Sequence, residues 1–238
     1  MHRKHVALGA TLTVEDGWQR PARYSSPEEE LRRLRAGCGL CDLSPIAKWD
    51  VKGRDLDPTL PPVLRVARIP EWLAGSGTVS EGSSPAEGFC CRLAEDHALF
   101  TADVAQGKEW TNGNSGPVLP LFHSSTLPLL PHAGGCLHVT DVTSTLAAFS
   151  LVGPRSRELL SKLTSLDLTD RRLPDFSCAQ TQLAKCHATL ARLDASGLLA
   201  YRLFVTRDYA EFVWDALTEA GHDCGLAPFG IEAWRALG

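Results

Sequence analysis

Between Thr145 and Gly221 the apolar residues switch repeatedly between strand and helix period, and this restricts the fold more than any other feature of the chain. Thr145 to Val152 is an apolar run of strand length. Gly153-Pro154 then opens a helix with Leu159, Leu160 and Leu163 on one face. Gln182 to Leu193 reads as a second strand, and Ala195-Ser196-Gly197 supplies a turn. Beyond it Leu199, Tyr201, Leu203 and Val205 alternate strictly, as a strand with one buried face does. Asp208 and Glu211 form a capping box for a last long helix, with Phe212, Val213, Ala216, Leu217 and Ala220 as its buried stripe and Gly221 as its end. The order β-α-β-β-α is most of a ferredoxin-like split βαβ unit, which predicts the α+β class.

The N-terminal half carries fewer signals. Ser26-Pro27-Glu28-Glu29 joins a capping box to a proline at the first helical position, which predicts a helix to about Gly37. On that helix Arg32, Arg33 and Arg35 beside Glu28, Glu29 and Glu30 read as a solvated, charge-paired face. Ala47 to Lys52 alternates like a half-buried strand, Gly53-Arg54-Asp55 turns the chain, and Val63 to Ile69 has the length of a short strand. Cys90 to Ala102 reads as two strands turning at Glu95-Asp96, and residues 106–136, rich in Gly and Pro, read as a linker.

Composition excludes several classes of function. A chain of 238 residues suffices for one large domain or two small ones. Its net charge of −4 provides no basic footprint for nucleic acid. No run approaches the ~18 apolar residues that cross a bilayer, and no apolar stretch follows the basic N-terminus as an export signal would. A cytoplasmic protein is expected, so the eight cysteines are expected as free thiols. Cys38-x-x-Cys41 follows a helix, whereas a redox dithiol usually opens one. His132, Cys136 and His138 with that pair lack the second tight spacing of a zinc site. Buried thiols and ordinary loop histidines account for these residues, and no metal is expected.

Short motifs along nearly the whole chain carry a family resemblance. His5, Leu8-Gly9-Ala10, Gly17-Trp18, Pro21 and Tyr24 come first, followed by Gly39-Leu40-Cys41-Asp42-Leu43-Ser44, Lys48 and Val51-Lys52-Gly53. Leu151-Val152-Gly153-Pro154 and the stretch from Tyr201 through Trp214-Asp215-Ala216-Leu217 to Ala220-Gly221 continue the pattern. In this order they resemble the folate-binding domain of the glycine-cleavage T-protein (aminomethyltransferase) family. The resemblance implies an α+β domain of two interlocked lobes, 1–105 and 137–238, joined by the crossover 106–136. The family's C-terminal barrel is expected to be absent, and tetrahydrofolate is the implied ligand. Leu166-Asp167-Leu168, Leu173-Pro174, Cys178-Ala179-Gln180-Thr181 and Leu183-Ala184 are similar to gamma-subunit-like relatives of heterotetrameric sarcosine oxidase. That likeness implies an accessory subunit packed on larger flavin- and folate-binding partners.

The site residues follow from the same resemblance. A carboxylate must manage the proton and charge of the amine, and Glu87 falls at or beside that position, although a surface glutamate is the plainer reading. Glu87, Tyr201 and Arg235 are the candidate folate contacts, and Glu87 is also the candidate catalytic group. Three family contacts are missing or displaced. The family's Thr-Gly-Glu turn is Ser196-Gly197-Leu198, the glutamate on the late strand is Arg202, and Gly238 stands at the arginine of Leu-Arg-x-Glu, one helical turn from Arg235. Eroded catalysis or an accessory role in glycine or sarcosine one-carbon metabolism is therefore expected. The alternative is a non-enzymatic scaffold. A cleft lined by Tyr201, Glu87 and Arg235 favours folate chemistry, and an exposed apolar patch favours the scaffold.

Overall fold

The computed structural model describes residues 1–15, 17–54, 56, 62–66, 88–102 and 137–237. Among the described residues it is a mixed α+β structure with several sheets and no closed barrel. The chain divides into a discontinuous unit, Met1–Pro45 with Ser144–Gly238, and a continuous one, Ile46–Thr143. Strand pairing joins β3 and the C-terminal segment in one sheet. Glu87 and the whole of the expected linker, 106–136, lie outside the described residues.

The first unit begins with α1 (His2–Ala7) and a two-stranded hairpin, β1 (Thr11–Glu15) and β2 (Trp18–Arg23). Helix α2 (Pro27–Ala36) follows, with Ser26 accepting from the Glu29 N–H at 3.3 Å and Pro27 at the first helical position. A six-stranded sheet has the order β10-β11-β12-β9-β3-β13. Its strands are β3 (Cys38–Asp42), β9 (Leu146–Val152), β10 (Ser177–Leu183), β11 (Cys186–Arg192), β12 (Ala200–Thr206) and β13 (Leu226–Pro228). β13 pairs with β3 in parallel and the other neighbours are antiparallel. The second unit holds an antiparallel sheet, β5-β6-β7-β4-β8, made of β4 (Ala47–Gly53), β5 (Val63–Val66), β6 (Gly88–Ala94), β7 (His97–Ala102) and β8 (Leu137–Asp141).

The core of the first unit packs Phe149 and Leu151 of β9 and Tyr201, Leu203 and Val205 of β12 against α3 (Ser156–Ser161) and α4 (Ala210–Ala220). Leu159 and Leu160 of α3 and Val213, Trp214 and Leu217 of α4 are fully or almost fully buried, each contributing about 1.5–3 kcal/mol of transfer free energy. The expected stripe of α4 is corrected at one place: Phe212 is 54% exposed and Trp214 turns inward. Asp208 does not cap this helix, because Arg207–Tyr209 forms a 3-10 turn and α4 starts one residue beyond it. Gln182 to Leu193 is not one strand either. Ala184 and Lys185, at φ 48° and 68°, make the two-residue turn of the β10–β11 hairpin, so the order becomes β-α-β-β-β-α. Positive φ at an Ala-Lys pair carries no sequence signal, which is why the turn was not predicted.

A buried polar chain fastens α1. Asp42 of β3 accepts from His5 Nε2 at 2.9 Å, and the Tyr24 hydroxyl lies 2.7 Å from His5 Nδ1. A carboxylate only accepts, so His5 Nε2 carries the proton that it donates to Asp42. Burial forces the Tyr24 phenol far above its ordinary value, which keeps it a donor. Burial also opposes charge on Asp42, but hydrogen bonds from His5 and from the Ser44 hydroxyl outweigh it and hold the carboxyl below the usual carboxylate range. The Trp214 ring closes edge-on over His5, 5.1 Å between centroids.

Two predictions follow from these contacts. Gly153, at φ 128°, leaves no room for a Cβ, which would lie 2.4 Å from the Leu34 carbonyl oxygen. Gly153→Ala is expected to cost about 3 kcal/mol or more in urea unfolding, whereas Gly197→Asn, at φ 73° in open space, stays within about 1 kcal/mol. The Asp42 carboxyl is depressed in the folded state, so its contribution is complete above the unfolded pKa of about 3.9 and is lost as pH falls through the folded value. Asp42→Asn is expected to cost about 3 kcal/mol at pH 7, with the gap to the parent narrowing by pH 2.5. An unchanged gap rules out this role.

Candidate functional site

The elements that carry candidate binding residues meet at the β1–β2 hairpin. Helix α5 (Ile231–Arg235) begins at Gly230, where a Cβ would lie 2.1 Å from the Ala22 carbonyl oxygen of β2. Only glycine permits that approach. The same place is tied by Glu30 of α2, which is buried rather than solvated as its charged neighbours suggested. One of its oxygens accepts from the Tyr24 and Ser25 N–H groups, and the other accepts from Gly230 N–H at 2.9 Å.

With α5 held there, Arg235 reaches Glu15 of β1 through both terminal nitrogens, at 3.0 and 2.8 Å. Arg20 of β2 donates Nη1 to the same carboxylate at 3.3 Å. Two guanidinium groups therefore share one carboxylate. Arg20 is 5% exposed, and among the described residues its Nε and Nη2 are buried without a hydrogen-bond partner, as is Arg235 Nε. Beside this group, Arg202 of β12 stacks over the Trp234 ring at 3.8 Å and donates to Ser150 Oγ at 2.7 Å. A cluster with this donor excess attracts anions and provides no general base.

Tyr201 lies elsewhere. On β12 it faces the α3–α4 core with Leu203 and Val205, while Arg202 occupies the alternate position beside Trp234. Its hydroxyl is buried without a hydrogen-bond partner among the described residues, and the Arg157 guanidinium is near enough to influence it. Burial raises the phenol, and Arg157 partly opposes the shift. Near it, Arg192 grips Asp194 at 3.2 and 2.8 Å and also reaches Asp170. Tyr201 and Arg235 are thus not brought into one cleft. Glu87 and Gly238 lie outside the described residues. The Ser196-Gly197-Leu198 turn does approach α5, since the Ser196 hydroxyl donates to the Leu237 carbonyl.

The cysteines behave as core residues. Cys38 and Cys41 both lie in β3, three positions apart and therefore on opposite faces of the sheet. Burial pushes the Cys38 thiol up to about 12, with Cys224 adding to the shift. Burial also drives Cys41 up, against the pull of Arg20. Neither supplies a thiolate near neutral pH. Cys38, Cys41, Cys186 and Cys224 are buried free thiols, and no group of three metal-binding side chains occurs among the described residues.

Glu15 and Arg20 were not singled out in the sequence, although a signal for their hairpin is present. Asp16-Gly17, between Thr11–Glu15 and Trp18–Arg23, is a strong two-residue hairpin step. What it does not convey is that the partner of Glu15 lies 220 residues away.

The GCVT N-terminal domain family matches residues 1–238. The aminomethyltransferase of Streptomyces coelicolor is 30% identical over 238 residues, covering 98% of this chain and 59% of that protein. Sarcosine oxidase subunit alpha of Rhizobium meliloti is 29% identical over 218 residues, covering 89% of this chain and 21% of that protein. The chain therefore spans only part of the length of these relatives. The crystal structure of the glycine cleavage system aminomethyltransferase T from Bartonella henselae has the same fold, with a TM-score of 0.71 at 18% identity over 99% of this chain and 60% of that one. Matched from end to end by the family and sharing its fold, the chain belongs to the GCVT N-terminal domain family.

Proposed function

We propose that the chain is a tetrahydrofolate-binding domain of one-carbon metabolism that works as an accessory part of a larger, cytoplasmic aminomethyltransferase- or sarcosine-oxidase-type enzyme. The observation that carries this reading is the alignment of almost the whole chain with part of an aminomethyltransferase and with part of a sarcosine oxidase subunit. No helix among the described residues is long and apolar enough to cross a membrane.

The residues present fit the two ends of a folate unequally. Arg235, with a buried Nε that has no partner, has the donor chemistry to hold an acidic tail. At the pterin end, Leu198 stands in place of an acceptor and cannot receive the hydrogen bonds of the donor-rich ring edge. Glu87 is the group proposed to compensate as acceptor and to manage the proton of the amine, while Tyr201 supports the strand from the core side. Bound tetrahydrofolate would supply the one-carbon acceptor. In this reading the partners are larger flavin- and folate-binding subunits, in keeping with the resemblance to gamma-subunit-like sarcosine oxidase relatives.

One observation favours a scaffold without folate: the Arg235 fork is already filled by Glu15. Calorimetric titration of the chain with tetrahydrofolate separates the two readings. The folate reading predicts micromolar binding, weakened about tenfold or more by Glu87→Ala or Arg235→Ala. No heat at millimolar ligand contradicts it and leaves the scaffold.

A further inference from the structure

The Arg20 guanidinium presents a problem that the folate reading does not address. Its Nη1 reaches Glu15, but its Nε and Nη2 are buried and bond to nothing among the described residues. Those two nitrogens form the side-on edge of the guanidinium, the edge that grips a carboxylate or phosphate with two parallel N–H···O bonds. Leaving buried donors of a charged group unsatisfied costs about 1–3 kcal/mol each, or more. The shared carboxylate does not remove the imbalance, since Glu15 brings one negative charge against the two positive charges of Arg20 and Arg235.

Nearby geometry shows how the edge can be reached. Arg235 and Glu15 side chains are 28% and 25% exposed, so the cluster opens to solvent on their side. The hairpin that carries Glu15 and Arg20 pairs with no other strand among the described residues, and Val14 beside Glu15 is 66% exposed. A small swing of β1 moves the Glu15 carboxylate without breaking the six-stranded sheet.

We infer that Arg20 and Arg235 form an oxyanion site for a small carboxylate, with Glu15 as its internal stand-in. An incoming carboxylate takes the free Arg20 edge, and displacement of Glu15 opens the Arg235 fork to its second oxygen or to a second carboxylate. No bond is made or broken in the ligand, so the event is binding alone. The inference shares Arg235 with the folate reading but needs no pterin pocket, and the test uses ligands without a pterin, so its failure is distinct from that of folate binding.

The test is thermal unfolding of the full 238-residue chain in acetate, in inorganic phosphate and in sodium chloride, all at matched ionic strength. Acetate is expected to raise Tm saturably where chloride does not. Glu15→Gln, which removes the stand-in, is expected to bind acetate at least tenfold more tightly. Arg20→Lys keeps the charge but not the planar edge, and is expected to weaken binding at least tenfold. Equal melting in acetate and chloride for both parent and Glu15→Gln overturns the site, as does unchanged acetate affinity in Arg20→Lys. A rise in phosphate without one in acetate overturns the carboxylate assignment.

Discussion

The Glu30 carboxylate decides how the ends of the chain meet. It is buried on α2, and its two oxygens accept from backbone N–H groups at Tyr24, Ser25 and Gly230, so one side chain holds the exit of β2 and the entry of α5. Removing such an acceptor would strand three backbone donors, of which the buried Gly230 N–H alone costs about 1–3 kcal/mol. The contact of α5 with β2, and with it the meeting of Arg235, Glu15 and Arg20, depends on this clamp. Gly230 completes it, because a side chain there would overlap the Ala22 carbonyl.

Around that clamp the sheet is closed by non-local pairing. β3 lies between β9 and β13, so residues 38–42 border strands more than 100 and 180 positions away in sequence. The His5–Asp42 contact then fastens the N-terminal helix to the same strand. The candidate binding residues at the two chain ends are thus held by partly buried hydrogen bonds, while apolar packing of α3 and α4 covers the other side of β9 and β12. Chemistry and core are separated across β12, with Arg202 beside Trp234 and Tyr201 in the core.

What the sequence shows is local. The Ser26-Pro27 start of α2, the alternation of β12 and the turn at Ser196-Gly197 each have a mechanism written in adjacent residues, and each is present. The Ala184-Lys185 turn is hidden because ordinary residues adopt the left-handed conformation there. The inward face of α4 is hidden because Phe212 and Trp214 suit a buried stripe equally well, and tertiary packing chooses Trp214. Arg235 is legible only through a family resemblance, and Glu15 and Arg20 become significant only once β2 and α5 touch. A salt bridge spanning 220 positions leaves no trace in spacing or period.

The central claim is that the Glu30 clamp brings Arg235 and Glu15 together as an ion pair. A double-mutant cycle of Glu15→Gln and Arg235→Met, read by urea unfolding at pH 7, tests it most directly. A bidentate, partly buried pair predicts a coupling of about 1–2 kcal/mol. A coupling below about 0.3 kcal/mol would contradict the pairing and the anion site built on it.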